Sequence, residues 1–179
     1  MMTAWNVLAT AQPHQLQRLF DILRSHGEFQ HAPFRGVIVG LVAEPGALFE
    51  ALLAREARKG GTLAAIGHIV PIDRTFGFEP EALEALLREA VAPYAAAIAA
   101  GGFHVRMERR GLKGLLHSQP LEQALAEHLL ALLEGAGQAA RIDFTDPDAV
   151  VVVETLGNLC GVGLVTRALT ARYPFVHAR

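Results

Sequence analysis

A single cysteine, Cys160, stands among the 179 residues, which excludes an internal disulfide and any zinc site built from several cysteines. No stretch of eighteen uninterrupted apolar residues occurs. The alanine-rich segment from Val91 to Ala100 is too short to cross a bilayer, so no membrane partner is expected. The N-terminus lacks a basic region followed by an apolar one and a small-residue cleavage site, which makes the cytoplasm the expected location. Excess positive charge is missing as well: 16 Lys and Arg face 18 Asp and Glu, for a net charge of −2. This balance argues against a grip on nucleic acid through bulk electrostatics, and such a ligand needs a localised patch. What the chain does have is apolar mass, 51% of its residues, enough for one ordinary domain or two small ones.

Strands and helices alternate along the first 78 residues. Trp5 to Ala9 reads as a strand, and Pro13 starts a helix with Leu16, Leu19, Phe20 and Leu23 on one face, stopped at Gly27. Phe34 to Val42 is β-branched and reads as a central strand, followed by a helix bearing Leu48, Leu52 and Leu53 that ends at Gly60-Gly61. Leu63 to Ile72 gives a third strand, with Pro71 at its end, where a missing amide donor costs least. Short connections between these elements predict a small ferredoxin-like α/β domain. Thr75 to Phe78 marks the expected junction, so the domains are expected to span 1–78 and 79–179.

In the second part, Glu79 to Ala99 is expected as one long helix burying Leu83, Leu86, Leu87, Ala90 and Val91. A further helix from Ser118 to about Glu134 carries Leu121, Leu125, Leu129 and Leu132 on one face. Val150 to Val153 and Gly161 to Val165 read as strands buried on both faces, and the residues after Phe175 are expected to fray.

The chemistry concentrates at Phe103 to Lys113. Phe103, Val105 and Met107 alternate with His104, Arg106 and Glu108, which gives a strand one apolar and one mostly cationic face. Arg109, Arg110 and Lys113 extend the charge into the next loop, and guanidinium forks match phosphate oxygens bidentately. A charged strand face also protects sheet edges from aggregation, so the pattern alone leaves both readings open. Residues 1–78 carry 7 Lys and Arg against 6 acids and residues 79–179 carry 9 against 12, so the cluster stands in an acidic background. His104 and His117 flank it as candidates for base stacking or phosphate contact. A second cationic group, Arg55, Arg58 and Lys59, complements the helix dipole and is a candidate extension of the same track.

About thirty residues after the cationic strand come Ile142-Asp143-Phe144, the turn Asp146-Pro147-Asp148, and Val150 to Glu154. Gly157 to Leu164 and Arg172-Tyr173-Pro174-Phe175 follow in order. With Phe103-His104-Val105-Arg106 and Arg109-Arg110-Gly111, this set resembles the THUMP domain, and covers roughly residues 79 to 176. That module occurs in thiouridine synthetases, RNA methyltransferases, pseudouridine synthases and tRNA acetylation adaptors, and the tail looks most like the stand-alone adaptors. The resemblance implies a ferredoxin-like domain followed by a THUMP domain that binds structured RNA, tRNA above all. With the charge pattern this makes Arg106, Arg109, Arg110, Lys113, His104 and His117 the expected RNA contacts, and the resemblance further implies a tRNA-modifying enzyme such as a cytidine acetyltransferase acting in trans. DNA is not an expected partner.

No G-x-G-x-x-G leads into a helix, no Gly-Lys-Ser or Gly-Lys-Thr occurs, and no two histidines share a zinc helix with a glutamate, so no cofactor and no metal are expected. Gly157, Gly161 and Gly163 are better explained by close strand packing, and the Asp146-Pro147-Asp148 segment by a turn. No thiouridine synthetase ATP loop and no methyltransferase or acetyltransferase region is visible, so the chain is expected not to be an enzyme and to act as an adaptor. The rivals are an enzyme using Cys160 or a histidine, and a small-molecule-binding regulatory module without RNA affinity.

Overall fold

The computed structural model describes residues 1–178. β1 (Val7–Ala11), α1 (Leu16–Leu23), β2 (Glu28–His31), β3 (Val37–Leu41), α2 (Pro45–Lys59) and β4 (Ile66–Pro71) form a four-stranded antiparallel sheet in the order β2-β3-β1-β4. This is the ferredoxin-like arrangement. Pro45 opens α2, where a missing amide donor costs nothing, and Gly60 closes it at φ 69°. β2, Glu-Phe-Gln-His, has no apolar alternation beyond Phe29 and lies on the sheet edge, so the sequence pattern shows only three of the four strands.

β5 (Arg74–Gly77) pairs with the second sheet, whose order is β5-β9-β8-β6-β7. The expected boundary at 78/79 thus follows a strand that already belongs to the second sheet. Its other members are β6 (Gly102–Glu108), β7 (Arg141–Ile142), β8 (Ala149–Leu156) and β9 (Leu159–Thr166), with α3 (Leu83–Val91), α4 (Ala95–Ile98), α5 (Ser118–Gly135) and α6 (Arg167–Arg172) around them. The single helix expected over 79–99 is interrupted by a 3-10 turn at Ala92–Tyr94, where Pro93 removes the donor that would continue the ladder. On α5 the buried residues are Leu125, Leu129 and Leu133, while Leu132 is exposed, so the stripe turns one position from the expected one.

β8 is buried along its whole length because each face meets a different core. Val151 and Val153, with Phe103, Val105 and Met107, pack under α3 and α5. Val150 and Val152 join the core of the first sheet with Leu8, Ile69 and Phe49. The two sheets meet where β9 carries glycine. A methyl on Gly161 would approach the Trp5 ring to 2.6 Å, and one on Gly163 would overlap the Pro71 carbonyl oxygen. Close packing therefore explains these two, whereas Gly157, at φ 62°, makes the two-residue turn between β8 and β9.

The tail does not fray at once after Phe175. The Ile69 amide donates to the Phe175 carbonyl at 2.8 Å, and Val176 is fully buried beside β4. The last position, Arg179, lies outside the described residues. Among the described residues no helix is long and apolar enough to cross a membrane.

Candidate nucleic-acid interface

Alternation along β6 sends Phe103, Val105 and Met107 into the core and leaves His104, Arg106 and Glu108 on the opposite face. Arg106 pairs in register with Val152, so that face is the one turned toward the ferredoxin-like unit. Arg106 is exposed and 3.4 Å from Glu108, a weak surface pair. Arg109 donates to the Gly111 carbonyl and is half-buried. Lys113 and His117 are exposed on the loop that follows, where Gly111, Leu112 and Gly114 all take positive φ.

Arg110 is placed differently from the others. Its guanidinium lies 2.5 Å from the Glu154 carboxylate, with the two side chains only 11% and 5% exposed. Its amide donates to Thr155 Oγ1, and its carbonyl accepts from Gly157. With its guanidinium largely buried against Glu154, Arg110 ties the cationic loop to the β8–β9 hairpin. Burial pushes the Glu154 carboxyl up, against the opposing pull of Arg110.

His104 donates from Nδ1 to the Asp143 carbonyl at 3.0 Å, and its ring lies 5.3 Å from that of Phe144. Phe144 is 75% exposed, the most exposed of the large apolar side chains. The turn beneath it is closely hydrogen-bonded. Asp143 Oδ1 accepts from the amides of Asp146 and Thr145, which hold its carboxyl below the usual range. The Gly102 amide and then Arg167 do the same for Asp148, and Arg167 also reaches Asp146. The aspartates are thus taken up in a turn, as the local Asp-Pro-Asp pattern suggests. Among the described residues no cluster of three His, Cys, Asp or Glu could hold a metal. Cys160 is fully buried, and burial raises its thiol well above the ordinary value, which removes it as a nucleophile.

Three cavities lie in succession, each sharing one lining residue with the next. The first, about 760 Å³, is lined by Thr10, His14, Arg35, His68 and His177. His177 also lines the second, about 530 Å³, with Arg167 and His104. His104 in turn lines the third, about 630 Å³, with Arg106, Gln119, Gln123 and Phe144. Pattern reading missed Arg35, Arg167, His177 and Phe144 as site residues. Phe144 could have been found as an aromatic in a turn with nothing to bury it. The other three become neighbours only through the packing of the two sheets.

No family model matches the chain, and no curated protein matches it. Solved structures share its fold. TrmN from Thermus thermophilus superposes with a TM-score of 0.66 at 20% identity, covering 90% of this chain and 45% of TrmN. PH1313 from Pyrococcus horikoshii Ot3 gives 0.60 at 14% identity, with 91% and 55% covered. A 4-thiouridine synthetase, crystallised with RNA and bound ATP, gives 0.51 at 14% identity, with 91% and 42% covered. The chain thus spans about half the length of the proteins it matches. That finding corrects the expectation that the chain is not an enzyme: a synthetase contains this fold as under half of its length, so the lack of an ATP loop within the shared part is no ground for excluding catalysis. At these identities the likeness concerns architecture, and the chain has the fold of a ferredoxin-like unit followed by a THUMP-like unit.

Proposed function

We propose that the chain binds structured RNA, with tRNA as its natural ligand, along the succession of cavities lined by Arg35, His177, His104 and Arg106. The observation that carries this reading is the exposed Phe144 ring against His104, in one cavity with the exposed Arg106: an aromatic platform with a phosphate partner. A synthetase of the same fold crystallised with RNA supports it. His104, Arg106, Arg109, Lys113 and His117 are the proposed contacts, and Arg110 is a positioning residue. The unit selects the RNA that a modifying active site receives. A tRNA cytidine acetyltransferase in trans fits the resemblance of the tail, and recovery of no modifying enzyme on co-purification, with unchanged tRNA modification in a deletion strain, would count against that partner.

Binding of total tRNA and of a duplex of equal length across a salt series tests the reading. Arg106→Glu/Lys113→Glu is expected to weaken tRNA binding and make the salt slope shallower by about 2, roughly one per lost phosphate contact. Absence of binding by the wild-type protein at low salt would sink the proposal. Phe144→Ala is expected to cost about 1–3 kcal/mol of RNA affinity, roughly 5- to 150-fold, with an unchanged melting temperature because the ring is exposed. The second reading, a small anionic regulatory ligand, is favoured by the 760 Å³ cavity with Arg35 and His14. It predicts ligand-dependent melting shifts without RNA affinity.

A further inference from the structure

Arg18, Arg55 and Arg58 converge on a cavity of about 520 Å³ between α1 and α2, lined also by Asp21, Ser25 and His26. None of the residues lining the three cavities above lines it. Arg55 is braced: its Nη1 donates to Thr62 Oγ1 at 2.7 Å, and the buried Thr62 is itself fixed by its amide donating to Glu56. Arg18 lies across Gly61, where a methyl would strike its guanidinium. Among the described residues none of the three arginines takes part in an ion pair, and Asp21 is shared with Arg24 and Gln17.

Fold stability accounts for Arg58 and Arg55 but not for Arg18. Arg58 and Lys59 stand in the last turn of α2, where a cation complements the helix dipole. Arg18 stands in the first turn of α1, where the dipole opposes it. Drawing three guanidiniums toward one concavity adds mutual repulsion that an incoming anion relieves, and a guanidinium fork fits a phosphate better than a point charge does.

We infer that the helical face of the ferredoxin-like unit is a second RNA contact, in which Arg18, Arg55 and Arg58 hold the phosphodiester backbone of the RNA whose other segment occupies the three cavities. The inference rests on the RNA-binding reading above. It adds to Arg35 a second contact from the first unit, on its helical face, so RNA must reach both faces to bind at full strength.

The experiment compares Arg18→Gln/Arg58→Gln with wild type and with Arg106→Glu/Lys113→Glu in tRNA binding across a salt series. Arg18→Gln/Arg58→Gln is expected to bind roughly ten-fold more weakly near physiological salt and to make the salt slope shallower by about 1.5–2. Wild-type affinity and slope in that variant, with a defect in the Arg106→Glu/Lys113→Glu variant, overturn the second contact and leave the RNA function standing. That is also the result expected if an acidic protein surface, not RNA, docks there. Failure of the wild-type protein to bind tRNA removes both. Should the glutamine variant misfold by circular dichroism, Ser25→Cys labelled with a photo-crosslinker decides, since the buried Cys160 stays unlabelled. Crosslinks to tRNA sustain the contact, and their absence refutes it.

Discussion

Gly163→Ala is expected to destabilise the protein by about 3 kcal/mol or more, the largest loss from adding one methyl group. The added carbon would fall on the Pro71 carbonyl oxygen and within 3.3 Å of Val152. A side chain could rotate away from such a contact, but Pro71 is main chain and is held from both sides. The amide of Ile72 donates to Asn6, and that of Asp73 donates to Val162 at 2.8 Å. Relief therefore requires β4 and β9 to part, which opens the core that Val152 shares with the first sheet. Gly161→Ala should cost less, because the atoms it meets belong to the Trp5 and Ile72 side chains. Gly46→Ala is the control: it lies in α2 with open space around it, and should gain up to about 1 kcal/mol. Urea midpoints of the three variants give the order. An unchanged midpoint for Gly163→Ala would mean that the sheets do not approach as described.

Legibility in the sequence followed how much of each feature is local. Val150 to Val153 could be read as doubly buried because β8 has a core on each side and so loses the usual alternation. β2 could not, since an edge strand of Glu, Phe, Gln and His is held mainly by main-chain bonds to β3. Pro93 was a visible breaker, yet the apolar spacing on either side suggested one helix, and backbone chemistry overrode the pattern. At the site, the two faces of β6 were readable from alternation alone. The fate of Arg110 was not, because its partner Glu154 is 44 residues away and both look like ordinary surface charges until β6 and β8 pair. The same holds for the first cavity, whose His177 and Arg35 come from opposite ends of the chain.

Breaking the Arg110–Glu154 pair should give unequal losses depending on which partner is removed. Glu154→Ala leaves a guanidinium that is 11% exposed and cannot shed its proton, so a loss of about 3–5 kcal/mol is expected. Arg110→Ala should cost less, because a buried carboxyl can neutralise itself by taking up a proton. Burial already holds the Glu154 carboxyl above its ordinary value, and removing Arg110 takes away the opposing pull and raises it further. The sign of the pH dependence follows. A carboxyl with a raised folded-state value binds more protons folded than unfolded, so its contribution is full below the ordinary carboxylate range and is lost as pH rises through the folded value. Arg110→Ala should therefore lose stability more steeply than wild type as pH rises above that range, measured by urea unfolding at a series of pH values. Arg110→Met/Glu154→Leu, which removes both charges, should lie nearer wild type than Glu154→Ala. Equal losses for the two single variants, independent of pH, would refute the buried pair. The pair also bears on the proposed function, because it ties the start of the loop carrying Lys113 to β8 at Glu154, beside the main-chain bond from the Gly157 amide to the Arg110 carbonyl. Under the proposed RNA contact, charge reversal at Arg110 would lower affinity by loosening that loop, whereas the exposed Lys113, in no ion pair among the described residues, is the position at which reversal tests phosphate contact directly.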